Sequence, residues 1–360
     1  MKNTSRHIVF LSPGFSPTEE TSTVIPALQE FLKSIRNALP HCKMTLLSFQ
    51  YPHTKSAYTW HGIDVIPLNG QSLRYKKLLV WKRALQQLSK IHKEHPISNI
   101  HSFWIGECSL IGEHFSKKHK INHMVTVMGQ DAKTKNRYTK QLINSRAKII
   151  TLSPNHSTTL SKNCQLTSHI IPWFVDIDCF PKLQASTIDI IGVGSLNQVK
   201  NYPNFIDIIA VLVKTNPNLT VEIIGEGDQT QLAKLIKGKM LENTITLIGG
   251  LSRNHVLKKM AKAKLLLHTS MYESFGLVFS EALYSGMYIA SYNVGIAKPL
   301  EQWKICENTL ALIRACKEVI SSPMPPKKRI LLHAEQKAIN AYIELYNSSF
   351  ESENNKRTER

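Results

Sequence analysis

The chain has 360 residues, of which 42% are hydrophobic and 20% charged; these are globular values, and the length allows two domains with cores of their own. No apolar run is long enough to span a bilayer, the N-terminal apolar stretch is too short for a signal peptide, and the six scattered cysteines contain no C-x-x-C, so a cytoplasmic protein without structural zinc is expected. The net charge of +19 is uneven, with +15 in residues 1–170 and +4 in 171–360, and a basic N-terminal half suits an anionic partner: a phospholipid surface, a lipid-linked phosphate or nucleic acid.

Ile8–Leu11 reads as the opening strand, followed by a loop with Gly14 and a helix from about Val24 to Ala38. Strand, glycine-containing loop and helix make the first unit of a nucleotide-binding type of fold, in which Gly14 is either a phosphate neighbour or a plain turn residue. Met44–Phe49 is a second strand. Tyr75–Ile91 reads as a helix with Leu78, Trp81, Leu85 and Leu88 on one face and lysines around it. Such a helix either packs that face on the core or lies on an anionic membrane. A strand at Ile97–Phe103, and a strand with a loop at its C-terminal end over Met124–Asp131, bring His101, Gln130 and Asp131 towards strand ends, where open α/β sheets bind ligands; a lone histidine there is more often structural.

Pro172 and Pro181 bracket a linker. It contains Asp176 and Asp178, a D-x-D spacing that could hold a divalent cation, but the apolar linker setting argues against a metal site. Beyond it, strands at Ile188–Val193, Leu219–Ile224, Ile245–Ile248 and Leu265–Thr269 alternate with helices near 201–215, 228–239 and 253–263, so a parallel sheet is expected. Helices near 306–320 and 329–347 follow, then a polar tail.

Met271–Gly295 is nearly free of charge apart from Glu273 and Glu281. Leu277–Tyr284 should be a buried helix, with Gly276 before it and Gly286 as its stop. Its first amides, at Leu277 and Val278, are without intrahelical partners and favour a phosphate, which Gly276 lets approach. A carboxylate before the helix, Glu273, and one inside it, Glu281, suit hydroxyl groups on either side of that phosphate, the layout of a sugar nucleotide. Glu281 is costly in so apolar a segment unless something pairs with it. The alternative to a ligand is a structural ion pair with a distant Lys or Arg, and an arginine locked to it with no cavity leading to it would overturn the reading as an enzyme.

Glu273 and Glu281 form E-x7-E within S-x-Y-E-S-F-G at Ser270–Gly276. This resembles the donor-site motif of the retaining family 4 glycosyltransferases, which have the GT-B fold: two Rossmann-like α/β domains facing a central cleft. Further matches are Gly194, Leu196 and Lys200 in a G-x-L segment where Ser195 replaces the usual Arg, and Asp176 and Phe180 at the domain junction. In the H-x-H and H-G-x-D regions His101, Gln130 and Asp131 keep register, while Phe103 and Met128 replace histidines.

The resemblance implies an acceptor-side domain at 1–172, a linker at 173–182, a donor domain at 183–328, a helix at 329–348 crossing back to the first domain and a disordered tail at 349–360. It implies transfer from a nucleotide-diphosphate sugar to a glycan, lipid-linked or other acceptor, with domain closure excluding water and no essential metal. Glu273 would orient the sugar and Glu281 the ribose. Lys200, with Ser195 and the helix amides, would face the diphosphate, and Gly249 and Gly250 would cup the base. Ser270, Ser274, Phe275, Gly276, Leu277 and Val278 complete the donor site; Gly14, His101, Gln130 and Asp131 are the acceptor-side candidates. The sequence singles out no nucleophile.

Two rivals stay open: an epimerase or phosphorylase on the same fold, which an acceptor-dependence assay separates, and a non-catalytic sugar-nucleotide or membrane binder, suggested by Ser195. Charge alone suggests nucleic acid, but no aromatic–basic interleaving supports it, and none is expected as a partner. A peripheral position at the inner membrane face follows from the basic half as a hypothesis.

Overall fold

The computed structural model of the protein describes residues 6–21, 23–133, 136–323 and 326–348. Short runs of Ile, Val and Leu form strands and the amphipathic stretches between them form helices, as period and length dictate. In chain order these are β1 (His7–Gly14), α1 (Pro26–Ala38), β2 (Lys43–Tyr51), β3 (Tyr58–Trp60), β4 (Ile63–Pro67), α2 (Lys77–Glu94), β5 (Asn99–Phe103), α3 (Glu107–His119), β6 (Asn122–Thr126), α4 (Lys140–Ile143), β7 (Lys148–Thr151), α5 (Pro154–Cys164) and β8 (His169–Ile170). Then come β9 (Ile188–Val193), α6 (Tyr202–Leu212), β10 (Val221–Ile224), α7 (Thr230–Gly238), β11 (Ile245–Gly249), α8 (Arg253–Ala261), β12 (Ala263–His268), α9 (Leu277–Tyr284), β13 (Tyr288–Tyr292), β14 (Trp303–Cys306), α10 (Thr309–Ser321) and α11 (Glu335–Asn347).

The chain divides into two compact units, Phe174–Ala334 forming one and the described residues on either side of it the other. Each holds one sheet. The first runs β3-β4-β2-β1-β5-β6-β7-β8, parallel apart from the β3–β4 hairpin. The second runs β11-β10-β9-β12-β13-β14 and is parallel throughout. With its strands counted from β9, that order is 3-2-1-4-5-6, the doubly wound dinucleotide-binding order. Its topological switch point lies between β9 and β12. In the first sheet the corresponding reversal lies between β1 and β5.

Helices cover both faces, so the central strands are buried throughout: Ile8, Val9, Phe10 and Leu11 are inaccessible, as are Ile190, Ile191, Leu265 and Leu266. α11 belongs to the first unit. Its Tyr342 OH accepts a hydrogen bond from Trp173 Nε1 at 3.2 Å, and its Tyr346 OH is 2.7 Å from His101 Nδ1. The expected tail at 349–360 lies outside the described residues. Among the described residues no helix is long and apolar enough to cross a membrane.

One local reading needs correction. The buried stripe of α2 is Val80, Ala84, Leu88 and Ile91, and Leu78 is 73% exposed. Ala84 has too small a side chain to mark a face by hydrophobicity, yet it lets the helix sit close to the sheet and turns Leu78 outwards; Trp81 and Leu85 pack at the edge of the core. β6 ends at Thr126, and Asp131 pulls the backbone that follows it into the expected loop, a turn described below. Asp176 spends its side chain on the turn at 177–179, accepting from Asp178 N at 3.1 Å.

Candidate functional site

β9 and β12 are neighbours, paired from Ala263 opposite Ile188 to Leu266 opposite Ile191. The loops after them therefore leave the sheet side by side at its carboxyl edge, where doubly wound sheets take their ligands. Three hydrogen bonds to backbone carbonyls join these loops. Thr269 Oγ1 donates to Lys200 O at 2.9 Å and Asn201 O at 3.1 Å, and Met271 N donates to Val199 O at 3.0 Å. Asn197 caps the turn at 198–200, accepting from Val199 N and Lys200 N.

That scaffold brings Lys200 to Glu273 across 73 positions of sequence, with Nζ 2.5 Å from Oε1. His268 Nε2, from the last residue of β12, lies 3.0 Å from the same oxygen. Lys200 reaches it by crossing Gly194, where an added Cβ would come within 2.9 Å of the lysine Cε. Burial pushes the Glu273 pKa up, but the His268 hydrogen bond and the Lys200 charge outweigh it and hold the carboxyl at about 2. Burial lowers the His268 pKa more strongly than Glu273 raises it, so the imidazole is neutral at pH 7 and donates through Nε2.

The seat beneath is fixed by backbone. Gly276 starts α9 in the left-handed region, φ 80°, and a Cβ there would press within 2.6 Å of the Phe279 ring. Gly295, at φ 60°, lets the 293–296 segment lie against the loop: Ile296 N donates to Phe275 O at 3.0 Å, and a Cβ on Gly295 would stand 2.2 Å from that oxygen. The N-cap residue, Gly276, has no side chain to cap α9, whose first amides, at Leu277 and Val278, are without intrahelical partners. Phe275 is buried, and Ser270 is fully buried with no hydrogen-bond partner for its Oγ among the described residues. Ser274 is half-buried in the same loop. Ser195 is exposed after β9; Gly249 is the last residue of β11 and Gly250 follows it, with Gly225 N, just past β10, donating to Gly249 O at 3.0 Å.

Glu281 departs from expectation. It has a cation after all: Arg253, the first residue of α8, places Nη2 3.0 Å from Oε1, with the two side chains 10% and 11% exposed. A carboxylate so placed is explained by its ion pair alone, and Glu281 no longer argues for a ligand by being unpaired. The weight shifts to Glu273, Lys200 and His268. Neither His268 nor Arg253 was singled out from sequence. His268 carried a signal, as a histidine at the carboxyl end of a strand five residues before the acid; Arg253 carried none.

The acceptor-side candidates are not brought together. His101 is fully buried among Phe10, Phe31, Phe103 and Tyr342, bonded to Tyr346 and to Thr126 Oγ1 at 2.8 Å. Burial lowers its pKa to about 3, and it is a core histidine. Asp131 is also structural: its carboxylate accepts from the amides of Ile105 at 2.8 Å, Gly129 at 2.6 Å and Met128 at 3.2 Å. Gln130 is exposed, and Gly14 is buried at the end of β1 opposite Tyr51. Instead, a cavity of about 220 Å³ opens at the β1–β5 switch point, lined by Pro13, Phe49, Gln50, Phe103 and Trp104. Trp104 holds φ +66°, an unusual conformation for a bulky residue. A separate cavity of about 620 Å³, at the opposite ends of β6 and β7, is lined by no candidate residue.

Two doubly wound units, the second with a basic residue and an uncapped helix end at its switch point, have the architecture of GT-B glycosyltransferases. Residues 181–304 match the family described as Glycosyl transferases group 1. Over 115 residues the chain is 26% identical to the phosphatidylinositol N-acetylglucosaminyltransferase gpi3 subunit of Schizosaccharomyces pombe; the match covers 32% of this chain and spans a quarter (25%) of that relative's length. The fold is similar to sucrose-phosphate synthase from Thermosynechococcus elongatus, with a TM-score of 0.71, 15% identity and 95% and 96% of the two chains covered. It is also similar to WaaG, a glycosyltransferase involved in lipopolysaccharide biosynthesis, with a TM-score of 0.61, 14% identity and 94% of each chain covered. The fold is GT-B, and residues 181–304 match the group 1 glycosyl transferase family.

Proposed function

We propose that this protein is a retaining glycosyltransferase of the family 4 type, moving a sugar from a nucleotide-diphosphate donor held by the second unit to an acceptor held by the first. The observation that carries this reading is the Lys200–Glu273–His268 cluster beside the open amino end of α9. As the anomeric C–O bond breaks, negative charge builds on the diphosphate. Lys200 and the amides at Leu277 and Val278 stabilise it, the kind of preorganised electrostatic help that lowers barriers most. Glu273, ionised at any pH near neutral, accepts hydrogen bonds from the sugar hydroxyls, and Glu281 serves the ribose jointly with Arg253. No essential metal is required, since cationic and amide donors already face the leaving group.

The relatives act in glycolipid and lipopolysaccharide synthesis by name. They support a role in making a cell-envelope glycan or glycolipid, and the basic N-terminal half supports a peripheral position at the inner face of a membrane. A thermal-shift panel of nucleotide-diphosphate sugars tests the function. One of them should raise the melting temperature of wild type and not of Lys200→Ala; a panel in which none shifts wild type would refute the reading.

A further inference from the structure

A second cavity adjoins the β1–β5 switch point, sharing Gln50 and Glu107 with the small one there. It measures about 670 Å³, well within the range of small-ligand sites, and its charged lining is Arg74, Lys77, Arg137 and Glu107. Lys77 is held in place: Nζ lies 3.3 Å from Glu107 Oε1, donates to Tyr138 OH at 2.6 Å and sits 5.0 Å above the Trp81 ring. Arg137 lies 5.2 Å over the Tyr138 ring. Three cations around one carboxylate leave an excess of two positive charges, which repel one another until an anion of similar charge arrives. A phosphate monoester carries that charge.

Beside the cavity, four large apolar side chains face outwards within seven positions: Leu73 is 37% exposed, Tyr75 79%, Leu78 73% and Leu79 44%. Arg74, Lys76 and Lys77 are interleaved with them. Apolar exposure this dense signals something that covers it, and apolar and cationic side chains in alternation suit the boundary between lipid headgroups and acyl chains. Leu73 and Arg74 line the cavity and open the shelf, so the two features are continuous.

We propose that the first unit binds a phosphate-bearing lipid here, its headgroup among Arg74, Lys77 and Arg137 and its apolar part on the Leu73–Leu79 shelf. The inference rests on the glycosyl-transfer reading and names its acceptor class.

Flotation of the full chain with vesicles tests it. Vesicles of phosphatidylcholine containing phosphatidate should retain at least tenfold more protein than phosphatidylcholine alone, with the difference shrinking as salt rises. The pair Arg74→Glu with Arg137→Glu, and the pair Tyr75→Ser with Leu78→Ser, should each reduce retention at least tenfold at an unchanged melting temperature. Equal retention of wild type by both vesicle types would overturn the proposal, as would full retention of either variant. So would glycerol phosphate stabilising wild type while phosphatidate vesicles retain it no better than phosphatidylcholine alone, which would mark a soluble phosphate as the ligand. Nucleoside diphosphate binding by wild type reports separately: its presence without vesicle binding sinks this site alone, and its absence with vesicle binding intact sinks the donor reading alone.

Discussion

Lys200 Nζ stands 2.5 Å from Glu273 Oε1, so the cation best placed for a diphosphate and the acid best placed for a sugar neutralise each other before any donor arrives. Each keeps the other from being an isolated charge in a poorly solvated pocket. A donor phosphate would divide the lysine's attention, and the sugar hydroxyls would take up what the carboxylate loses.

Glu273→Gln keeps the shape and removes the charge. Transfer, measured as kcat/KM with saturating acceptor, should fall about 100-fold through lost orientation of the sugar.

The same pair sets an acid limit. The carboxyl titrates at about 2 in the folded protein against 4.5 when free, so folding favours its ionised form. That stabilisation is complete above about pH 5 and is lost as pH falls through the folded value; it amounts to about 3 kcal/mol. Chemical denaturation of wild type and Glu273→Gln should differ at pH 7 and converge near pH 2.

His101 should behave as a core residue. Its pKa of about 3 lies below the free value of 6.5, so the unfolded chain takes up a proton that the folded one refuses. Its contribution is full above pH 6.5 and shrinks as pH drops towards 3. Substitution to Ala should cost about 3 kcal/mol at pH 7, from two buried hydrogen bonds and lost packing, and leave acceptor KM unchanged in whatever activity remains. A variant of wild-type stability with a raised acceptor KM would return His101 to the site.

Gly295→Ala forces a Cβ to within 2.2 Å of Phe275 O at a positive φ. It should lower stability by about 2 kcal/mol and weaken donor binding by displacing the Glu273 loop. Gly238→Ala, with open space around it at the end of α7, should do neither. Chemical denaturation checks the stability, and calorimetric titration with a nucleotide-diphosphate sugar that stabilises wild type in the thermal-shift panel checks the binding.

Arg253 and Glu281 form a largely buried pair, so removing one partner strands the other. Arg253→Gln and Glu281→Gln should each cost about 3 kcal/mol, and the double substitution less than their sum. A double-mutant cycle by urea denaturation measures the coupling; strict additivity would show that the pair is incidental.

What was legible in the sequence was local. β9, the Lys200 turn and the Glu273–Gly276 loop announce themselves by apolar runs, glycines and acids within a few residues, and the structure places them on adjacent strands. The partner of Glu281 was not legible, because Arg253 sits 28 positions away on another helix and no periodicity links the two. The burial of His101 was not legible either, since the helix that covers it arrives some 240 residues later, with Tyr346 hydrogen-bonded to it. The face of α2 was misread because an alanine, silent on a hydropathy count, decides which side approaches the sheet.

α11 has a consequence for synthesis. Trp173, His101 and Asn99 each have a hydrogen-bond partner on Tyr342 or Tyr346, which arrive after the whole second unit has been translated. On the ribosome the first-made domain therefore waits, with an open wound in its core, while the later one closes; the half that is begun first is finished last.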